Sequence, residues 1–171
     1  MKTLLILRHA KSSWHDSSLD DRERPLNARG RRDAPRMGDL LRDESLVPDL
    51  LITSDAVRAH TTALAVAEAA GYTGEIVVDP LLYHASPEDV LAVLKTVPDA
   101  NARMVMIVAH NPGLEDLVEG LTGERHHLPT AALVQLALPL DVWAELDAST
   151  RATLVEIWQP KDLPSGEPPP R

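Results

Sequence analysis

Cysteine and phenylalanine are absent from this chain of 171 residues, and three tryptophans and two tyrosines are its only aromatic rings. Without cysteine there is no disulfide, no thiolate metal site and no thiol nucleophile. Ala, Leu and Val carry the apolar load, and the length suits one domain with a sizeable core. No apolar run is long enough to span a membrane, and the first, Leu4-Leu5-Ile6-Leu7, is broken by Arg8 before it could serve as a signal peptide. The expected compartment is the cytoplasm, with no membrane partner. Gly-rich phosphate cradles of the P-loop or dinucleotide kind are missing too. A net charge of −9 argues against nucleic acid as a partner, because such binding rests on clustered Lys and Arg. The charge is uneven, however. Residues 1–36 hold nine Lys/Arg against five Asp/Glu, and the remainder eight against twenty-one. A focused positive cleft in an acidic protein recruits a small anion.

What is present begins with that first apolar run. Four consecutive apolar residues read as a strand buried on both faces, and it stops at Arg8-His9. In open α/β sheets, ligands sit beyond the carboxyl ends of the strands. The arrangement returns at Met104 to Ala109, which ends in His110 before Asn111-Pro112, read as a helix cap and first helical position. A third run, Leu50 to Asp55, leads into an Ala-rich helix with Arg58 in its first turn. If the three strands are parallel neighbours, Arg8, His9, Arg58 and His110 converge at one edge. Two arginines, two histidines and helix N-termini make a site for a dianion, with a phosphoryl group the best candidate.

Between these runs the chain alternates strand and helix. Residues 12–23 form a polar loop without periodicity, followed by a helix capped at Asn27 with Gly30, Ala34, Met37 and Leu41 on one face. Pro35 lies inside it and predicts a kink or break near residues 31–33. Helices are expected over 56–70 (ended by Gly71), 86–96 (a capping box at Ser86 with Pro87) and 112–120. Strands are expected near 49–53, 76–78, 103–109, 133–138 and 153–158, the last two including an antiparallel pairing. A single domain over 1–159 would be followed by a Pro-rich, disordered tail over 160–171.

Neutral imidazole is a competent nucleophile near pH 7. Phosphoryl transfer asks mainly for positioning and for charge on the equatorial oxygens, which planar, bidentate arginines supply without a metal or cofactor. Arg8-His9, Arg24-Pro25-Leu26 with Gly30 and Ala34, Ser54 with Arg58-Ala59 and Thr62-Ala63, and His110-Asn111-Pro112-Gly113 together resemble the histidine phosphatase superfamily. Over residues 2–158 the chain is most similar to its SixA-type phosphohistidine phosphatase branch. The resemblance implies a three-layer α/β/α sandwich on a mostly parallel sheet of about six strands, like that of phosphoglycerate mutase. It implies that His9 is the phosphorylated nucleophile and that Arg8, Arg58 and His110 complete the catalytic pocket. Arg24 would be an additional phosphate contact, with Asn111 beside it as a substrate-binding residue.

The chain departs from the superfamily at two places. Ala10 stands where Gly is usual, and Leu82-Tyr83-His84 lacks the glutamate that many relatives use as general acid. Asp21, His84 and Glu88 are the possible substitutes. A missing acid favours a leaving group that departs easily, such as the imidazole of phosphohistidine, over an alkoxide. The expected partner is therefore a phosphorylated signalling or phosphorelay protein, the alternatives being a small phosphorylated metabolite or nucleotide and a non-catalytic phosphate-sensing module. His126-His127 has no carboxylate at metal-ligand spacing and is read as loop. His60 shares no helix face with Arg58. Lys11 and Trp14 either rim the pocket or cover the loop.

Overall fold

A computed structural model describes residues 1–100 and 102–164. Six strands, β1 (Lys2–Arg8), β2 (Leu50–Thr53), β3 (Ile76–Val78), β4 (Met104–Ala109), β5 (Leu133–Leu138) and β6 (Thr153–Trp158), form one sheet in the order β3-β2-β4-β1-β5-β6. The strands β3, β2, β4 and β1 are parallel, and β5 runs against both β1 and β6. Helices α1 (Ala28–Asp43) and α2 (Val57–Ala70) cover one face, and α3 (Pro87–Lys95) and α4 (Gly113–Thr122) the other. This is the expected three-layer α/β/α sandwich.

The unbroken apolar run of β1 follows from this layering. Leu4 and Ile6 enter the core under α3 and α4, while Leu5 and Leu7 enter the core under α1 and α2. A central strand alternates its side chains between two covered faces, so neither face can be polar. The register then fixes the site. Arg8 pairs with Ala109 and Thr53 with Val108, so β1, β4 and β2 end side by side at one edge.

The helix starts follow the local sequence. Asn27 caps α1 by accepting the Gly30 N–H at 2.9 Å, and Ser86 with Asp89 forms the reciprocal capping box of α3. Gly71 ends α2 with φ 75°, a left-handed conformation that glycine adopts without steric cost. Three expectations are corrected. Helix α1 runs through Pro35 without a break; its buried stripe of Gly30, Ala34, Met37 and Leu41 is held against the sheet, and that packing outweighs one missing hydrogen bond. Helix α4 begins at Gly113 with Pro112 as its cap, not Asn111. The chain also stays ordered past residue 159, because Pro160–Asp162 form a 3₁₀ turn with Pro160 buried, and the Arg36 guanidinium binds the carbonyls of Pro160 and Leu163. The remainder of the expected tail, residues 165–171, lies outside the described residues. Among the described residues no helix is long and apolar enough to cross a membrane.

Candidate active site

Each of the three parallel strand ends delivers one part of a buried cluster. At the end of β1, the His9 N–H donates to the Ala109 carbonyl at 3.1 Å, and the His9 carbonyl accepts from the Ala131 N–H at 3.0 Å. The His9 ring is fixed as well, since Nδ1 lies 2.7 Å from the Ala10 carbonyl. A carbonyl only accepts, so Nδ1 carries the proton and Nε2 presents a lone pair. The Ala10 N–H donates to Thr62 Oγ1 at 3.0 Å, and that hydroxyl donates to the Arg58 carbonyl at 2.6 Å, tying the turn to α2. Burial, with the Arg58, Arg8 and Arg24 charges adding to it, lowers the His9 pKa to about 4 against the pull of the Ala10 carbonyl. The imidazole is therefore neutral at physiological pH.

His110, at the end of β4, tilts 52° to His9 with ring centroids 5.1 Å apart. Its Nε2 lies 2.8 Å from Ser54 Oγ at the end of β2. That oxygen also accepts the Ala56 N–H, and the hydroxyl can pair with Nε2 as donor or as acceptor. Nδ1 of His110 is buried without a partner. Burial first, then the His9 ring and the Arg58 charge, push the His110 pKa far below its ordinary value.

The arginines are held from behind. Arg8 Nη1 donates to the Leu128 carbonyl at 2.9 Å. Arg58 Nη1 and Nη2 bind the Asp21 carbonyl at 2.6 Å and its Oδ2 at 2.9 Å. In both arginines Nε is buried and unpartnered. Arg24 donates Nε to Asp21 Oδ1 at 3.0 Å and Nη1 to Ser12 Oγ at 2.8 Å, and it lies 3.5 Å from the centre of the Trp14 ring. Buried polar groups in folded proteins are nearly always satisfied. Two orphaned guanidinium donors, with the unpartnered His110 Nδ1 beside the His9 imidazole, therefore describe a cradle for an oxyanion.

The sequence-predicted residues divide clearly. Arg8, His9, Arg24, Arg58 and His110 come together. Asp21 reaches the cluster as an anchor, since its carboxylate accepts from Arg58, Arg24 and the Tyr83 hydroxyl (2.6 Å). Partial burial pushes its pKa up, but those hydrogen bonds outweigh burial and hold it well below the usual carboxylate range, so it cannot supply a proton. His84 stands at the rim, exposed, stacked on Tyr83 and 3.3 Å from Asp21 Oδ2. Glu88 is outside the cluster, on the first turn of α3 beside Leu91 and Leu117. Asn111 donates Nδ2 to the same Leu128 carbonyl that holds Arg8, at 2.9 Å, which leaves an acceptor oxygen facing inward. That arrangement positions the Leu128 carbonyl, which both Asn111 and Arg8 hold. His126 and His127 turn to different carboxylates, Glu124 and Glu115.

A family model of the histidine phosphatase superfamily (branch 1) matches residues 4–86, the stretch that carries Arg8, His9, Arg24 and Arg58. The chain belongs to that superfamily. Among solved structures, a SixA of Nakamurella, assigned as a phosphohistidine phosphatase, superposes with a TM-score of 0.82 at 26% identity, covering 93% of this chain and 96% of that one. The SixA of Agrobacterium tumefaciens, with the same assignment, gives 0.78 at 28% identity over 92% and 97%. An uncharacterized chloroplastic protein of Arabidopsis thaliana is 31% identical over 144 residues, 78% of this chain and 66% of that protein.

Within this superfamily member, Ala10 is fully buried where Gly is usual, its amide held by Thr62. Of the supporting residues, Ser54 and Thr62 stand among the motif residues of the resemblance and Tyr83 at the position of the missing glutamate, each without a role there, while Ser12 reads only as part of a polar loop.

Proposed function

We propose that the protein is a phosphatase that works through a covalent phosphohistidine on His9, without a metal or other cofactor. The observation that carries this reading is the set of buried, unpartnered nitrogens, Arg8 Nε, Arg58 Nε and His110 Nδ1, beside an imidazole whose tautomer exposes Nε2. The Nε2 lone pair attacks phosphorus in line. The bond from phosphorus to the leaving group breaks and its electron pair departs with that group, while Arg8, Arg58, Arg24 and His110 hold the equatorial oxygens. Water then attacks the phosphorylated imidazole, the P–N bond breaks, and inorganic phosphate leaves.

The substrate class follows from the proton supply. Asp21 is fixed as an anion and Glu88 is outside the cluster, which leaves only His84, exposed at the rim 3.3 Å from Asp21, among the three candidate donors. An alkoxide gains typically 10²–10⁴-fold from a positioned acid, whereas an imidazole leaving group, with a conjugate-acid pKa of about 6.5, needs far less help. Phosphohistidine on a signalling or phosphorelay protein fits this site best. The SixA-like structural neighbours support the same substrate class.

Mass spectrometry after alkaline quenching of the protein mixed with phosphoramidate tests the mechanism. A phosphoryl adduct is expected on His9, with adduct and turnover both lost in His9→Ala. Equal turnover in the two proteins without an adduct would rule out the covalent route.

A further inference from the structure

The loop after β1 and the start of α1 enclose a second groove that the phosphoryl chemistry does not use. It has a volume of about 710 Å³, and its walls include Lys11, Trp14, His15, Asn27 and Arg31. No carboxylate lines it, although the whole chain carries a net charge of −9. The Arg31 guanidinium donates to the Leu26 carbonyl, and among the described residues neither it nor Lys11 forms an ion pair. Trp14, one of only five aromatic residues in the chain, is 73% exposed. Tryptophan and arginine are both among the side chains enriched in interface cores, and here the indole centre lies 3.5 Å from the Arg24 guanidinium.

The groove joins the phosphoryl pocket through Arg24, which touches Ser12 and Trp14 on the groove side and Asp21 on the pocket side. The opposite flank of the pocket differs in kind. There a groove of about 440 Å³ is lined by Ala85, Pro87, Pro112 and Asp116, apolar with a carboxylate. Lysine and arginine therefore line the first groove, and neither lines the second.

We propose that the Lys11–Arg31 groove is the docking surface for an acidic polypeptide segment flanking the phosphorylated side chain of a partner protein. This rests on His9 being the phosphoryl acceptor. The groove holds more volume than one anion needs, both Lys11 and Arg31 line it, and Trp14 offers an apolar face to an adjacent side chain. A peptide uses all three features, whereas a second small phosphate would leave the indole in water.

The test compares wild type with a Lys11→Glu, Arg31→Glu double variant. Substrates are synthetic phosphohistidine peptides with acidic, neutral or basic flanks, phosphoramidate as a donor without flanks, and a small sugar bisphosphate. Acidic flanks are expected to lower KM about tenfold in wild type, and raised salt or the double variant should abolish the gain. Phosphoramidate turnover should be equal in both proteins. A KM independent of flank charge would overturn the proposal, as would a variant that loses affinity for the bisphosphate alone. Binding of the unphosphorylated peptides, read by fluorescence anisotropy, separates the two readings. Flank-selective, salt-sensitive binding should persist even if His9 proves unreactive, and its absence counts against the groove alone.

Discussion

Asp21 places a negative charge beside a pocket built for an anion, and its partners explain why it is tolerated. Arg58 spends Nη1 and Nη2 on it, and Arg24 spends Nε, so both guanidinium planes are set before a ligand arrives. Preorganised donors stabilise a transition state better than mobile ones, because no reorientation accompanies the reaction. The cost is repulsion of the bound dianion. These opposing effects give an unusual expectation for Asp21→Asn. Loss of hydrogen bonds from charged groups, worth about 1.5–3 kcal/mol, should lower kcat by about 10–100-fold. Removal of the like charge should meanwhile tighten competitive inhibition by inorganic phosphate. Steady-state kinetics with phosphate as inhibitor reads both, and a variant with unchanged kcat and weaker phosphate inhibition would show that Asp21 does not set the arginines.

At the scale of elements, the site depends on how closely α1 approaches the turn after β1. A Cβ built on Gly30 would stand 2.1 Å from the Lys11 carbonyl oxygen, so no side chain fits there without moving backbone. Gly30→Ala should destabilise the fold by roughly 1–3 kcal/mol, as overpacking does. For a chain of this length that is a fall in Tm of about 3–10 °C. Because the displaced segment carries Ser12 beside Arg24, KM for phosphoramidate should rise together with the loss of stability, which calorimetry and kinetics on the same preparation would check. An unchanged Tm would mean that the loop yields freely. The same geometry shows what could be read in advance. Strand ends were legible, because a doubly covered strand must be apolar throughout and its stop at Arg8-His9 or His110 is abrupt. The segment from Ser12 to Glu23 was not, because it has no hydrophobic period and owes its shape to side chains far along the chain. Tyr83 reaches Asp21 across 62 positions, and nothing in either local sequence announces the pair. Pro35 was misread for a related reason: propensity argued for a break, and burial of one helix face against the sheet prevailed.

For the whole molecule, the buried histidines should leave a signature in stability against pH. His9 is held neutral, its pKa lowered to about 4, and His110 is shifted in the same direction. In the unfolded chain both return to about 6.5. Between those values the unfolded state binds more protons, so stability falls as pH drops from about 6.5 towards 4. At 1.36 kcal/mol per unit, His9 alone accounts for about 3 kcal/mol at the acid end of that window. Net charge works in the opposite sense over the same range. Approach to the isoelectric point near 5.2 relieves repulsion among the excess acidic groups. The histidine contribution is therefore sought as a difference between proteins. Thermal unfolding of wild type and His9→Gln, whose side chain does not titrate, should give parallel Tm profiles above pH 7 and diverge below 6.5, wild type falling more steeply. Inorganic phosphate should reduce that divergence, since an anion bound beside His9 favours its protonated form and raises the folded-state pKa towards 6.5. Identical slopes for the two proteins would mean that His9 keeps its ordinary pKa of about 6.5 in the folded state, and burial would then not be what holds the nucleophile neutral.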